Sequence, residues 1–238
     1  EHTCGLYFPI SIGAQIYYAE GPDKVAQNLQ ETKPTIMTAV PRLYEALHDR
    51  IQRGVQQSGG LKKYLFDLTL ELGRKDRVEK KPLSLSEKLS NMLVDHAVRS
   101  KVSLRFGGRL KAFVSGGAAL NPDIGNFFLS LGVNILQGYG QTEASPIISC
   151  NRPGNIRIET VGPALKDVEI KIAEDGEILV RGELVMKGYW KDPIATKAAI
   201  KDGWLHTGDV GVLEEDGSLR ITDRKKDILV TPGGDNIS

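Results

Sequence analysis

Residues 133–143, Val-Asn-Ile-Leu-Gln-Gly-Tyr-Gly-Gln-Thr-Glu, decide the fold. Val133 to Leu136 is a short apolar run that reads as a buried strand. The hexamer Gly138 to Glu143 then brings an aromatic face, two glycines, a hydroxyl and a carboxylate to the strand end. In open α/β sheets, ligands bind outside the carboxyl ends of the strands. Tyr139 can stack on a flat ring, Thr142 can donate to a phosphate oxygen, and Glu143 can hold Mg²⁺. Read by itself, the hexamer also fits a plain strand followed by a Gly-rich turn.

Upstream, the pattern alternates helix and strand. Lys111 to Val114 predicts a strand that ends in Ser115-Gly116-Gly117-Ala118-Ala119. Asn121 and Pro122 predict the N-cap and first turn of a helix ending near Gly132. Farther back, Pro22 to Thr32 predicts a helix and Thr35 to Val40 a buried strand. After Pro41, Leu43, Leu47 and Ile51 stack at helical spacing until Ser58-Gly59-Gly60 breaks the run. Residues 61–105 predict two amphipathic helices joined by a basic connector, Arg74 to Lys81, with Ser84 and Glu87 spaced as a capping box. This β-α-β order predicts an α/β fold, a mainly parallel sheet with flanking helices.

Beyond residue 150 the period changes to two. Val168, Ile170 and Ile172 alternate with Glu169 and Lys171, and Glu174-Asp175-Gly176 predicts a hairpin turn. Glu215-Asp216-Gly217 predicts a second turn. The expectation is a small antiparallel, distorted β-barrel. The domain reading is 1–150 for the α/β part, 151–222 for the antiparallel part, and 223–238 for a hinge and the start of a further domain.

Bulk properties exclude several classes. A hydrophobic content of 40% with 26% charged residues is that of a globular protein. A net charge of +1 gives no electrostatic reason to expect nucleic acid. Cys4 and Cys150 have no metal-ligand spacing and read as reduced, buried thiols, so a cytoplasmic setting is expected. There is no run of about 18 apolar residues and no signal peptide pattern. Glu1-His2-Thr3-Cys4-Gly5 reads as mid-domain sequence, and the expectation is a piece of a longer protein. The run Arg74 to Lys81 reads as a solvated face, with peripheral contact to lipid headgroups or an acidic partner as the alternative.

Two other stretches can carry chemistry. In Trp204-Leu205-His206-Thr207-Gly208-Asp209, the aspartate on a turn can accept two hydrogen bonds from a ribose diol, or simply satisfy its own turn. His206 reads as a local structural residue. In Asp223-Arg224-Lys225-Lys226-Asp227, Arg224 can reach sugar hydroxyls or a phosphate, or the run can be a solvated linker.

In order and combination, SGGAAL (115–120), QGYGQTEAS (137–145), VGPALKDVEIKI (161–172), GEILVRGELVMKGYWKDP (176–193), GWLHTGDVG (203–211) and ITDRKKDILVTPGGDNIS (221–238) resemble the adenylate-forming superfamily. KPTIMTAVPRLYEALHDRI (33–51) and the long helical segment behind it resemble its long-chain fatty acyl-CoA synthetase branch. The resemblance covers nearly the whole chain, more diffusely before residue 110. It implies that Gly117 and Ala118 line an adenine and that Tyr139 stacks on it, with Gly138 and Gly140 giving backbone access. It also implies that Thr142 contacts the α-phosphate and Glu143 holds Mg²⁺. Asp209 would bind the ribose hydroxyls with help from Arg224, and Lys226 would mark a hinge. The implied substrates are a fatty acid, ATP and CoA. The implied reaction forms an acyl-adenylate and pyrophosphate, then acyl-CoA and AMP.

Two parts of that machinery are missing from the sequence: a Ser/Thr/Gly-rich phosphate loop with its lysine, and the lysine of a C-terminal domain. The segment alone is therefore expected to be inactive. A ligase that uses a carrier-protein thiol, and a non-catalytic nucleotide-binding relative, share the same visible motifs. No G-x-G-x-x-G follows a strand, and no G-x-x-x-x-G-K-[ST] is present, which disfavours a dinucleotide oxidoreductase and a P-loop kinase.

Overall fold

The computed structural model describes residues 2–225, 229–230 and 236–237. The chain forms two compact units, Pro9–Leu136 and Glu1–Phe8 with Gln137–Ser238. The division falls inside a strand, ahead of the change in sequence period near residue 150. Among the described residues, no helix is long and apolar enough to cross a membrane.

A π-helical turn, His2–Tyr7, leads into α1 (Phe8–Ser11). In the unit Pro9–Leu136, α2 (Val25–Thr32) begins later than Pro22 and ends where Lys33 turns left-handed, just before Pro34. β1 (Ile36–Ala39) leads into α3 (Pro41–Ser58), with Pro41 in the first turn where a missing N–H costs nothing. α4 (Gly60–Gly73) follows. The predicted second helix is broken into α5 (Leu85–Val94), a π turn at Asp95–Arg99 and α6 (Ser100–Arg105). That turn carries Arg99, which is buried. Its guanidinium donates to the Ser130 and Thr69 carbonyls and to the Asn91 and Asp95 side chains. The capping box forms: the Ser84 hydroxyl accepts from the Glu87 N–H, and the Glu87 carboxylate accepts from the Ser84 N–H.

β2 (Ala112–Ser115) pairs parallel with β1, Ile36 opposite Ala112. The Asn121 side chain caps α7 (Pro122–Ser130) by accepting from the Asp123 N–H. Aromatic packing fills the core. The Phe113 ring lies 5.2 Å from Tyr44, 5.2 Å from Phe106 and 5.7 Å from Phe128. The Tyr44 hydroxyl is satisfied by the Val114 carbonyl at 2.7 Å.

β3 (Ile135–Gly140) corrects one expectation. Gly138, Tyr139 and Gly140 do not lie beyond the strand; they are its last residues. The reason is tertiary: β4 (Ile147–Cys150) doubles back antiparallel and pairs with them, Gly138 opposite Cys150 and Tyr139 opposite Ser149. The sheet β1-β2-β3-β4 thus carries β4 as an antiparallel edge strand, and the turn begins only at Gln141. Cys150 and Cys4 are half-buried.

The rest of the strand-rich unit is antiparallel, as the period of two predicts. β5 (Glu169–Ile172) pairs with β6 (Glu177–Arg181) across the Glu174-Asp175-Gly176 turn. α8 (Pro193–Ala199), capped by Asp192, leads into β7 (Ile200–Lys201). β8 (Trp204–Leu213) pairs with β6 and β7, and also with β9 (Leu219–Arg224). Tyr139, Ile148, Ile178, Val180, Leu205 and Leu219 form its core. β10 (Leu229–Val230) and β11 (Asn236–Ile237) form a short antiparallel pair.

Candidate functional site

The site is built around an irregularity in β8. Opposite β6, Glu177 faces Val210 and Leu179 faces His206, so two steps on β6 span four on β8. The surplus residues, around Gly208, bulge out of the ladder. Bulges re-aim side chains and occur often beside active sites. Gly208 takes φ +74°, which a side chain would strain. The Thr207 hydroxyl donates to the Ile178 carbonyl at 2.7 Å and accepts from the Asp209 N–H at 3.1 Å.

Asp209 is the product of that geometry. Its carboxylate is 14% exposed. The Tyr139 hydroxyl donates to Oδ2 at 2.6 Å, and the Arg224 guanidinium lies 3.4 Å from Oδ1. Arg224 sits directly opposite Asp209 in the β8–β9 ladder. Three sequence-predicted site residues, Tyr139, Asp209 and Arg224, therefore meet in one place. A carboxylate has about four lone-pair positions, so Asp209 retains acceptor capacity for two further hydroxyl donors. Burial, and then the bond to Asp209, push the Tyr139 phenol well above its ordinary range and keep it a neutral donor.

The turn after β3 carries the next pair. Thr142 and Glu143 lie on a single 3₁₀ turn, Thr142–Ala144, with Thr142 exposed and Glu143 half-buried. Glu143 is held at both ends: its carbonyl accepts from the Met186 N–H at 2.8 Å, and its carboxylate from the Tyr189 hydroxyl at 2.8 Å. Gly140 makes this turn possible. A Cβ there would lie 1.7 Å from the Pro146 carbonyl oxygen, a clash of backbone with side chain. Gly138 has ordinary room, with the nearest atom 3.5 Å from an added Cβ.

Gly117 and Ala118 belong to the other unit, exposed just past the end of β2, with Gly117 at φ +85°. Lys226 lies outside the described residues.

Sequence reading missed three groups. Tyr189 gave no signal beyond being an aromatic in a polar loop. Glu177 stands at the head of an apolar run, Ile178-Leu179-Val180, and is itself buried. Burial would push its carboxyl up, but bonds from His206, the Lys225 ammonium and the Gly208 N–H outweigh that and hold it below the usual range. Lys225, read only as part of a charged connector, donates to Asp175 at 2.6 Å and to Glu177 at 2.9 Å, and these bonds push its ammonium up.

A protein-family model described as AMP-binding enzyme matches residues 1–190. Long-chain-fatty-acid–CoA ligase FadD15 of Mycobacterium bovis is 35% identical over 206 residues, covering 87% of this chain and 34% of the ligase. Putative fatty-acid–CoA ligase fadD11 of Mycobacterium tuberculosis is 37% identical over 247 residues, covering 100% of this chain and 43% of that protein. The crystal structure of the anthranilate CoA ligase AuaEII in complex with anthranoyl-AMP shares the fold at a TM-score of 0.66 and 24% identity, covering 98% of this chain and 39% of that one. The chain thus spans 34% and 43% of the length of these two curated relatives.

Proposed function

Since the chain belongs to the AMP-binding enzyme family, we propose that it is the nucleotide-binding part of a ligase that activates a long-chain fatty acid with ATP and transfers it to CoA. One observation carries this reading. Asp209, a largely buried carboxylate with spare acceptor capacity, is held by Tyr139 and Arg224 on the bulge of β8. That is a grip for a ribose diol. The long-chain preference rests on the relatives, which include a long-chain-fatty-acid–CoA ligase at 35% identity.

Each residue then has a role in positioning and charge neutralisation rather than in covalent catalysis. Asp209 accepts from the ribose hydroxyls, and Arg224 fixes Asp209 and reaches toward the sugar. Tyr139 stacks on the adenine, while its hydroxyl locks Asp209. Gly117 and Ala118 line the adenine, with Gly138 and Gly140 leaving the backbone open to it. Thr142 donates to the α-phosphate.

Among the described residues there is no cluster of three or more His, Cys, Asp or Glu side chains able to hold a metal. Mg²⁺ commonly takes one or two carboxylates and completes its shell with phosphate oxygens and water. The lone Glu143 carboxylate fits an ion that arrives with the nucleotide. When bound, that ion offsets phosphate charge. Lys226 is proposed as the hinge.

ATP–pyrophosphate exchange by the intact protein, over carboxylic acids of graded length, tests the reading. Exchange that rises with chain length, with CoA as acyl acceptor, is expected. Transfer only to a carrier-protein thiol replaces the acceptor, and AMP binding without exchange for any acid overturns catalysis.

Contact of Arg74 to Lys81 with an anionic lipid surface is also proposed. Arg74 and Lys81 face Glu79, and Lys75 faces Glu87. Such surface pairs contribute at most about 1 kcal/mol and yield readily. Liposome binding that survives charge reversal of Arg74, Lys75, Arg77, Lys80 and Lys81 together removes this proposal.

A further inference from the structure

Among the described residues, the buried set contains one carboxylate, Glu177. Burying a charge is costly unless its partners are excellent, and buried ion pairs are often no better for stability than apolar residues of the same size. A reason other than stability is needed for this one.

Its partners supply the reason. Glu177 opens β6. Its Oε1 accepts from the Gly208 N–H at 2.9 Å. Its Oε2 accepts from the Lys225 ammonium at 2.9 Å and lies 3.0 Å from His206 Nδ1. Lys225, just past the end of β9, donates its own N–H to the Gly208 carbonyl at 2.8 Å. Its ammonium is steadied by Asp175 at 2.6 Å. Gly208 is therefore held at its N–H by Glu177 and at its carbonyl by Lys225, while those two hold each other. The next residue is Asp209. A glycine at φ +74° in a bulge has no side chain to fix it, so these bonds set the backbone that presents Asp209, while Thr207, Tyr139 and Arg224 hold Asp209 itself.

We propose that Glu177 is a positioning residue for the nucleotide site, fixing the Gly208–Asp209 bulge through Lys225 so that the Asp209 carboxylate is aimed at a ribose diol. The proposal rests on the reading of Asp209 as the ribose acceptor. Glu177 does not touch the nucleotide. Its effect is confined to recognition of the 2′ and 3′ hydroxyls.

The test is calorimetric binding of AMP and of 2′,3′-dideoxy-AMP to the intact protein and to its Glu177→Gln variant. The wild type is expected to prefer AMP by tenfold or more, as bonds to a charged acceptor allow, roughly one decade per 1.4 kcal/mol. In Glu177→Gln the preference falls to about twofold or less, while binding of the dideoxy compound changes by less than about twofold. A variant that keeps the full preference, or weakens both ligands equally, overturns the positioning role. A wild type with no preference overturns the ribose reading itself. Lys225→Met, altering a half-exposed side chain, provides the same test if Glu177→Gln fails to fold. It is expected to lose part of the preference, and a Lys225→Met protein with unaltered preference also counts against the proposal.

Discussion

In the unit Pro9–Leu136 a cluster of rings, Tyr44, Phe106, Phe113, Phe127 and Phe128, packs in tilted and edge-to-face contacts among buried aliphatic side chains. In the unit of Glu1–Phe8 with Gln137–Ser238 the apolar core is mostly aliphatic. Beside it runs a chain of charged and polar groups, from Tyr139 through Asp209 and Arg224, and from Glu177 to His206 and Lys225. Dispersion and area burial have no direction, so the first unit gains stability wherever its rings fit. Hydrogen bonds and ion pairs have direction, so the second unit gains a fixed geometry. Most of the predicted nucleotide contacts lie in the second, with Gly117 and Ala118 in the first.

The largest expected effect probes the first unit. Phe128→Ala removes a fully buried ring and is expected to cost about 3–5 kcal/mol, read as a lowered urea midpoint. A cost under about 1 kcal/mol would break the contrast, because it would mean the ring cluster is not what holds that unit.

Next, Asp209→Asn removes the charge from the grip. Hydrogen bonds to charged groups contribute about 1.5–3 kcal/mol, so AMP affinity should fall by tenfold or more while the urea midpoint barely moves. A large loss of stability with little loss of affinity would reverse the roles assigned to the two units.

Tyr139→Phe is smaller and depends on pH. The Tyr139 phenol is raised in the folded state by burial and by Asp209. Its contribution is fully present below the unfolded tyrosine value of about 10 and is lost as pH rises above it. Wild-type stability should therefore fall faster than that of Tyr139→Phe above pH 10, by up to about 1.4 kcal/mol per pH unit. Urea titrations from pH 8 to 11 measure the difference, and parallel curves would detach Tyr139 from the network. The smallest effect is Ser84→Ala, which removes a cap in the helical unit at about 1 kcal/mol and should leave nucleotide binding untouched.

Local chemistry made much of this legible in the sequence. Pro34 and Pro41 punctuate the first strand, Asn121 and Pro122 open a helix, Ser84 and Glu87 form their box, and two Glu-Asp-Gly turns place two hairpins. What stayed hidden depends on partners far along the chain. β3 reaches Gly140 because β4 returns to pair with it. The helix predicted through residues 85–105 is broken at a π turn whose Arg99 bonds to Ser130, 31 residues away. Tyr139 and Asp209 are 70 residues apart, and Glu177 meets Lys225 across 48. A charged residue at the head of an apolar strand looks like a strand end until those partners arrive.

The β8–β9 ladder also has a mechanical side. It starts with Asp209 opposite Arg224 and finishes with Leu213 opposite Leu219. A pull on the chain beyond Lys225 meets the ladder at its Asp209 end, so pairs open one after another like a zip rather than sharing the load in shear. The first element under tension is the side-chain anchor of Lys225 on Glu177 and Asp175, and the second is the pair that carries Asp209. Tension on the following segment thus reaches Asp209, the proposed ribose acceptor, before it reaches the rest of the β8–β9 ladder.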